Sequence, residues 1–257
     1  MIYGLQKASI LKRVSAFLLD TLLIITVASA IIMGLLMLTG QDTYAYKYNT
    51  LRNEIVEEYK TSVGLTPEIA ETLTDEQKAA HEKALEEFYM KSPKLPDVEF
   101  AFAMMLQLTL ICVTSGLLVA CLILELAVPL IFKNGQTLGK RMFSLGVMKV
   151  DGIRLSGFAL FVRTVLGKFT IEMMVPVYIV IMILLGQLGI VGLAVLILLL
   201  GLEIGTMVAT KTNSNIHDLI SATVVIDLPS QMIFDSHEAM LEYKKKLHAD
   251  SVDSQPY

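Results

Sequence analysis

Three long apolar tracts dominate the pattern of hydrophobic and polar positions along the chain. They cover residues 14–38, 100–132 and 171–208, and each is longer than the roughly 20 residues that a helix needs to cross a bilayer. The third tract is too long for one span, and Gly186 and Gly189 bracket a turn-like stretch near its middle. We therefore divide this tract into two helices.

The pattern predicts an all-α fold, a small polytopic transmembrane bundle in which both chain ends face the same side. A single tilted or kinked helix in the third tract would place the C-terminus on the opposite side, but two helices explain its length with less strain. The four predicted spans cover residues 14–38, 100–132, 170–186 and 190–209.

Three shorter patterns lie outside the predicted spans. In the insert over 39–99, residues 66–68 predict a helix start, and apolar residues among acids indicate one or two amphipathic helices. Asp151 and Gly152, between two apolar stretches, predict a two-residue β-hairpin. Apolar residues at helical spacing over 158–169 are typical of a helix in the membrane interface.

Charge assigns these segments to the two sides of the membrane. Residues 39–99 contain 7 Lys and Arg against 13 Asp and Glu, whereas residues 133–170 contain 7 basic residues and one acid. Because loops rich in Lys and Arg stay in the cytoplasm, we place the hairpin and both chain ends there. The acidic insert is then extracytoplasmic, and the expected location is the cell membrane.

The predicted domain organisation has four parts. Each is a continuous stretch of sequence with its own hydropathy and charge. They are the first span (1–38), the acidic helical insert (39–99), the remaining spans with the hairpin (100–227) and a cytoplasmic C-terminal tail (228–257).

Composition excludes most soluble functions. Apolar residues make up 54% of the chain and charged residues 18%, with a mean hydropathy of +0.61, whereas soluble domains average about 25% charged residues. No nucleophile motif or phosphate loop is present, so we expect no enzyme activity and no cofactor. The basic residues flank membrane spans and leave no nucleic-acid surface. The four histidines are scattered in sequence without a second ligand at a usable spacing, so we expect no metal site.

A set of motifs resembles the RDD family of multi-pass membrane proteins. Arg13 is followed by Asp20 in the first helix, residues 135–141 read GQTLGKR after the second tract, and residues 217–220 read HDLI near the end. The arginine and two aspartates that give the family its name then map to Arg13, Asp20 and Asp218.

The resemblance covers residues 1–38 and 100–227 and leaves the insert outside it. It implies a multi-pass fold, with the hairpin and the amphipathic helix after Lys140. For function it implies either transport, which is proposed for some members, or an accessory role in a membrane complex.

Ionisable side chains inside the predicted spans are the candidate functional residues. An acid at the membrane centre costs roughly 2.5–3.5 kcal/mol, so such groups face the bundle interior, a partner or water. The acids in the spans are Asp20, Glu125, Glu172 and Glu203. We expect one polar cluster near the cytoplasmic side, formed by Arg13, Asp20, Glu125, Asp218 and Glu203. Two interpretations stay open: a proton-coupled cation site, or structural ion pairs that fix helix register.

Two functions follow from these interpretations. The first is a proton-coupled cation transporter or exchanger, for which a bundle of four short helices favours a homo-oligomer. The alternative is a non-catalytic accessory or scaffold subunit that contacts another membrane protein. Membrane lipids are expected partners of either, with anionic headgroups bound by Lys133, Lys140, Arg141, Arg163 and Lys168.

Overall fold

The computed structural model describes residues 5–253, most of which are helical. Its elements in chain order are α1 (Ile10–Thr39), α2 (Gln41–Val63), α3 (Pro67–Thr72), α4 (Asp75–Lys91), α5 (Leu95–Cys121), α6 (Val128–Phe132), α7 (Leu138–Met142), β1 (Leu145–Lys149), α8 (Gly157–Phe161), α9 (Val175–Leu184), α10 (Gly189–Ala209), α11 (Ile216–Ile220), β2 (Thr223–Asp227) and α12 (His237–Asp253). Two π-helical segments, Leu122–Ala127 and Val162–Met174, join α5 to α6 and α8 to α9. The last four residues of the predicted tail, 254–257, and the first four of the chain lie outside the described residues.

The prediction of four spans is confirmed within the described residues. Four helical stretches are long and apolar enough to cross a membrane: Ile10–Thr39, Leu95–Phe132, Gly157–Leu184 and Gly189–Ala209. In the last of them only 6% of the apolar window is buried inside the protein, so its side chains are free to contact lipid. The third tract divides at the predicted turn, where the Gly186 and Gly189 backbones have φ of 72° and 48°.

The third membrane helix, Gly157–Leu184, corrects the prediction of a separate interfacial helix over 158–169. These residues form the first part of the continuous membrane helix. Its π-helical segment is joined by hydrogen bonds between residues i and i+5, so each turn holds more residues than an α-turn. The α-helical spacing used for the prediction therefore assigned Arg163 and Lys168 to an outer polar face, although both are buried.

The chain forms two compact units. We call Ser29–Gly116 the insert unit, and Met1–Ala28 with Leu117–Tyr257 the core unit. In the insert unit, the helix start predicted at residues 66–68 is confirmed: Pro67 opens α3, and the Thr66 hydroxyl accepts the Ile69 N–H as a helix cap. Tyr59 of α2 contacts His81 of α4 through its hydroxyl, 2.8 Å from Nδ1.

In the core unit a small sheet joins two distant parts of the chain. β1 pairs antiparallel with β2, in a register from Leu145 opposite Asp227 to Lys149 opposite Thr223. The predicted hairpin turn is confirmed, with Gly152 at φ 87° and Met148 paired antiparallel with Arg154 across it, but β1 takes its full ladder partner from β2. The physical reason is burial, because both strands are apolar and pack their side chains into the core.

Candidate functional site

The buried face of α1 carries two of the predicted site residues. Arg13, Ala16, Asp20 and Ile24 recur every three or four residues and are all buried, which is the spacing of one helix face. Arg13 and Asp20 are therefore directed into the core unit, where an unpaired charge is costly. Each charge has a separate set of partners there.

Asp218 on α11 is the partner of two guanidinium groups. Arg13 Nη2 donates to Asp218 Oδ2 at 2.6 Å, and Arg163 Nη1 donates to Oδ1. The Asn215 N–H donates to the same carboxylate at 3.1 Å, so Asp218 also caps its own helix. Burial opposes ionisation of Asp218, but Arg163, His217 and Arg13 together hold its pKa well below the ordinary value. The side chain stays a carboxylate.

Asp20 explains the residue pattern of the GQTLGKR motif. The Thr137 hydroxyl donates to Asp20 Oδ2 at 2.5 Å, and the Gly139 N–H donates to Oδ1 at 2.7 Å. Lys140 Nζ lies 3.6 Å from the same carboxylate. A Cβ on residue 139 would lie 2.4 Å from the Ala16 carbonyl oxygen, so glycine is required for this approach of α7 to α1.

Glu125 and Lys168 form a third buried pair, and each comes from a π-helical segment. Lys168 Nζ donates to Glu125 Oε1, and the Thr164 hydroxyl donates to the Glu125 carbonyl oxygen at 2.9 Å. Both side chains are less than a tenth exposed. π-helical turns are frequent at functional sites, and here they direct Glu125, Arg163 and Lys168 toward the same interior.

The remaining acids, Glu172 and Glu203, lie beside His217. His217 Nδ1 is 2.7 Å from both carboxylate oxygens of Glu172, and its backbone N–H donates to that carboxylate at 2.8 Å. Burial, with a smaller effect from Arg163, lowers the pKa of His217 below its ordinary value. Glu203 Oε2 is buried and has no hydrogen-bond partner within the described residues.

One potential metal ligand atom from each of Glu172, Glu203 and His217 lies within 4.8 Å of the other two. Within the described residues, no other three His, Cys, Asp or Glu side chains bring their ligand atoms this close together. The sequence could not indicate it, because the three ligands belong to different elements and are spaced far apart in the chain.

Two cavities of the core unit meet at Glu203 and Lys168. The first, of about 340 Å³, is lined by Arg13, Arg163 and His217 as well as by apolar residues of α1 and α10. The second, of about 460 Å³, is lined by Glu172 and by apolar residues of α1, α9 and α10. Glu203 lines both cavities, and its Oε2, which has no hydrogen-bond partner within the described residues, is itself buried.

We define the ionic cluster as the charged residues of this interior. Its bases are Arg13, Lys140, Arg163 and Lys168, and its acids are Asp20, Glu125, Glu172, Glu203 and Asp218. Counted over the described residues, five carboxylates thus face two arginines and two lysines, which carry four positive charges when all are protonated, with His217 beside them. The cluster is electrically neutral only when it takes up at least one more positive charge, either a proton or another cation.

The structure separates the predicted site residues into two groups. Arg13, Asp20, Glu125, Asp218 and Glu203 all belong to the ionic cluster. Of the predicted headgroup ligands, Lys133 and Arg141 are exposed, and Arg141 lies over the Phe132 ring at 4.2 Å.

The other three predicted headgroup ligands have partners in the interior. Arg163 and Lys168 are buried in ion pairs with Asp218 and Glu125, and Lys140 points toward Asp20. A basic side chain inside the protein pairs with nearby acids rather than with lipid headgroups at the membrane surface. The prediction that these three side chains bind headgroups is therefore corrected: they belong to the ionic cluster.

Comparison with known proteins gives one match. The model of the RDD family matches residues 7–222, a range that holds every member of the ionic cluster. Searches of curated proteins and of solved structures return no match.

Proposed function

The chain belongs to the RDD family, and from that premise we propose that it exchanges cations for protons across a membrane, with Glu203 as the exchanging carboxylate. The family and the four apolar helices identify an integral membrane protein. We further propose that it lies in the cell membrane with the N-terminus in the cytoplasm, as the positive-inside bias indicates.

The observation that carries this proposal is the missing positive charge of the ionic cluster. Five buried or half-buried carboxylates against four bases leave one negative charge, which is costly in an interior of low dielectric constant. A proton or a cation removes that cost, and the two compete because each neutralises the same charge. Such competition is the elementary requirement for coupling the two flows.

Glu203 is the acid at which the exchange is best supported. Asp20, Glu125 and Asp218 each accept hydrogen bonds from a backbone N–H or a basic side chain, whereas Glu203 has an oxygen without a hydrogen-bond partner within the described residues and lines both cavities. Binding of a proton or a cation at Glu203 Oε2 therefore displaces no hydrogen bond from that atom.

We propose no enzymatic reaction for this protein. Homo-oligomers and membrane lipids remain the proposed partners, because four spans form a small bundle and much of their apolar surface is exposed.

Cation-driven proton movement tests the proposal. The full-length protein is reconstituted into vesicles that contain a pH-sensitive dye, and gradients of Na⁺, K⁺ or Zn²⁺ are imposed in turn. We expect at least one cation to move protons with the wild type and none with Glu203→Gln. Glu238→Gln, an exposed Glu of α12 in the core unit, is the matched control and should retain the wild-type rate.

Wild-type vesicles that move no protons with any of the three cations would contradict the proposal and favour the accessory role. Retention of the full rate by Glu203→Gln would contradict the assignment of the exchanging residue. Thermal unfolding of both variants in detergent establishes that the loss is not a folding defect.

A further inference from the structure

We propose that Glu172, Glu203 and His217 form a binding site for a divalent transition-metal ion, with zinc the ion that best fits their chemistry. The inference rests on the proposed function in one respect, since it names the class of cation that Glu203 takes. It adds two ligands and a choice of ion that the charge count alone does not supply.

Geometry provides the first argument. The three ligand atoms lie within 4.8 Å of one another, whereas ligands of a tetrahedral zinc ion, at about 2.0–2.2 Å from the metal, are separated by roughly 3.4 Å. Rotation of Glu203 brings Oε2, which has no hydrogen-bond partner within the described residues, to the metal in exchange for the hydrogen bonds that Ile216 and Asn215 give this side chain. The metal also replaces the 2.7 Å contact between His217 Nδ1 and Glu172. Three protein ligands leave the fourth position of a tetrahedral site open.

Local charge provides the second argument, which favours a dication over a monovalent ion. Neither Glu172 nor Glu203 forms an ion pair with a Lys or Arg anywhere in the described part of the chain. Their two negative charges therefore match the two positive charges of a divalent ion. The bases of the cluster are occupied elsewhere, with Asp20, Glu125 and Asp218.

The ligand types provide the third argument, which favours a transition metal over Mg²⁺ or Ca²⁺. Mg²⁺ and Ca²⁺ prefer sites built of oxygen atoms alone, whereas imidazole nitrogen suits Zn²⁺, Cu²⁺, Fe²⁺ and Ni²⁺. The His217 ring is buried and fixed in place by Glu172. Gly167 also packs against it, since a Cβ at that position would lie 2.6 Å from the His217 Cβ.

Access is provided by the two cavities. Glu203 lines both of them, Glu172 lines the larger and His217 the smaller. The three ligands thus lie at the boundary between two spaces in the core unit.

Calorimetric titration of the purified full-length protein in detergent tests the site with Zn²⁺ alone as the probe. We expect one Zn²⁺ per chain and no comparable binding of Mg²⁺. Glu203→Gln and His217→Gln should each weaken Zn²⁺ binding by at least about tenfold, the lower end of the loss seen on perturbing the surroundings of a metal ligand. His237→Gln, at an exposed histidine, should bind Zn²⁺ like the wild type.

His217 is buried, and its replacement can affect folding, so Glu203→Gln provides the decisive comparison. A wild type that binds no Zn²⁺, or a folded Glu203→Gln protein that binds it unchanged, overturns the inference. Absent Zn²⁺ binding with Na⁺-driven or K⁺-driven proton movement intact overturns the metal site and leaves the proposed exchange standing. Zn²⁺ binding with no proton movement under any cation gradient overturns the exchange and leaves the metal site standing.

Discussion

The core unit and the insert unit use charge in opposite ways. In the core unit the side chains of the Arg13–Asp218 pair are 6% and 0% exposed, whereas those of the Lys60–Glu57 pair in the insert unit are 45% and 68% exposed. Exposed pairs contribute little, because water already solvates both ions. Buried pairs are costly to break, because the remaining charge cannot be hydrated. The number of charged residues in a segment therefore does not indicate how much those charges contribute to the stability of this protein.

The largest expected effect is the loss of the carboxylate shared by Arg13 and Arg163. Asp218→Asn leaves two buried guanidinium groups without a counter-charge, so we expect the free energy of unfolding to fall by about 3–5 kcal/mol. Denaturant titration in detergent measures the change. The matched substitution in the insert unit, Asp97→Asn, removes the exposed partner of Lys47 and should have little effect. Equal losses in the two variants would remove the distinction between the units.

A smaller effect is expected where backbone packing, rather than charge, brings α7 to α1. In Gly139→Ala the new Cβ meets the Ala16 carbonyl oxygen and the Asp20 carboxylate, so we expect a loss of about 1–3 kcal/mol in the free energy of unfolding. Gly201→Ala is the control, since nothing lies within 4 Å of a Cβ there. An unchanged Gly139→Ala protein would show that α7 can move away from Asp20 without cost.

The smallest effect is expected on the surface of the insert unit. Glu57→Gln breaks the pair with Lys60, which lies one helical turn away, and should change the free energy of unfolding by less than about 0.5 kcal/mol. The difference should shrink further in high salt, because added ions screen exposed charges. A loss comparable with that of Asp218→Asn would mean that the pair is sheltered from solvent.

The sequence predicts the membrane helices well, because hydropathy measures the apolar character that allows a helix to span the bilayer. A run of apolar residues has few alternatives to a span, and the glycines at 186 and 189 supply the turn. The sheet was harder to predict, because Asp151 and Gly152 signal a local turn, while the partner of β1 is selected by burial of the distant β2. The residues around β1 therefore give no indication that it pairs with β2.

The candidate site could be predicted in part. Charged residues in apolar surroundings identified Arg13, Asp20 and Glu125, since their cost in lipid requires partners. The α-helical spacing places the basic partners Arg163 and Lys168 on the surface, because it leaves out the π-helical turns that change which face a residue occupies. The sequence does not indicate His217 as a ligand, because its neighbours in the site, Glu172 and Glu203, are distant in sequence.

The central claim is that the ionic cluster takes up at least one positive charge, for which protons and other cations compete. The most direct test is the pH change of a weakly buffered solution of the purified protein on addition of Zn²⁺, Na⁺ or K⁺. We predict that at least one of these cations releases protons from the wild type and that Glu203→Gln releases none. Wild-type protein that releases no protons with any of them, or equal release from Glu203→Gln, would contradict the claim.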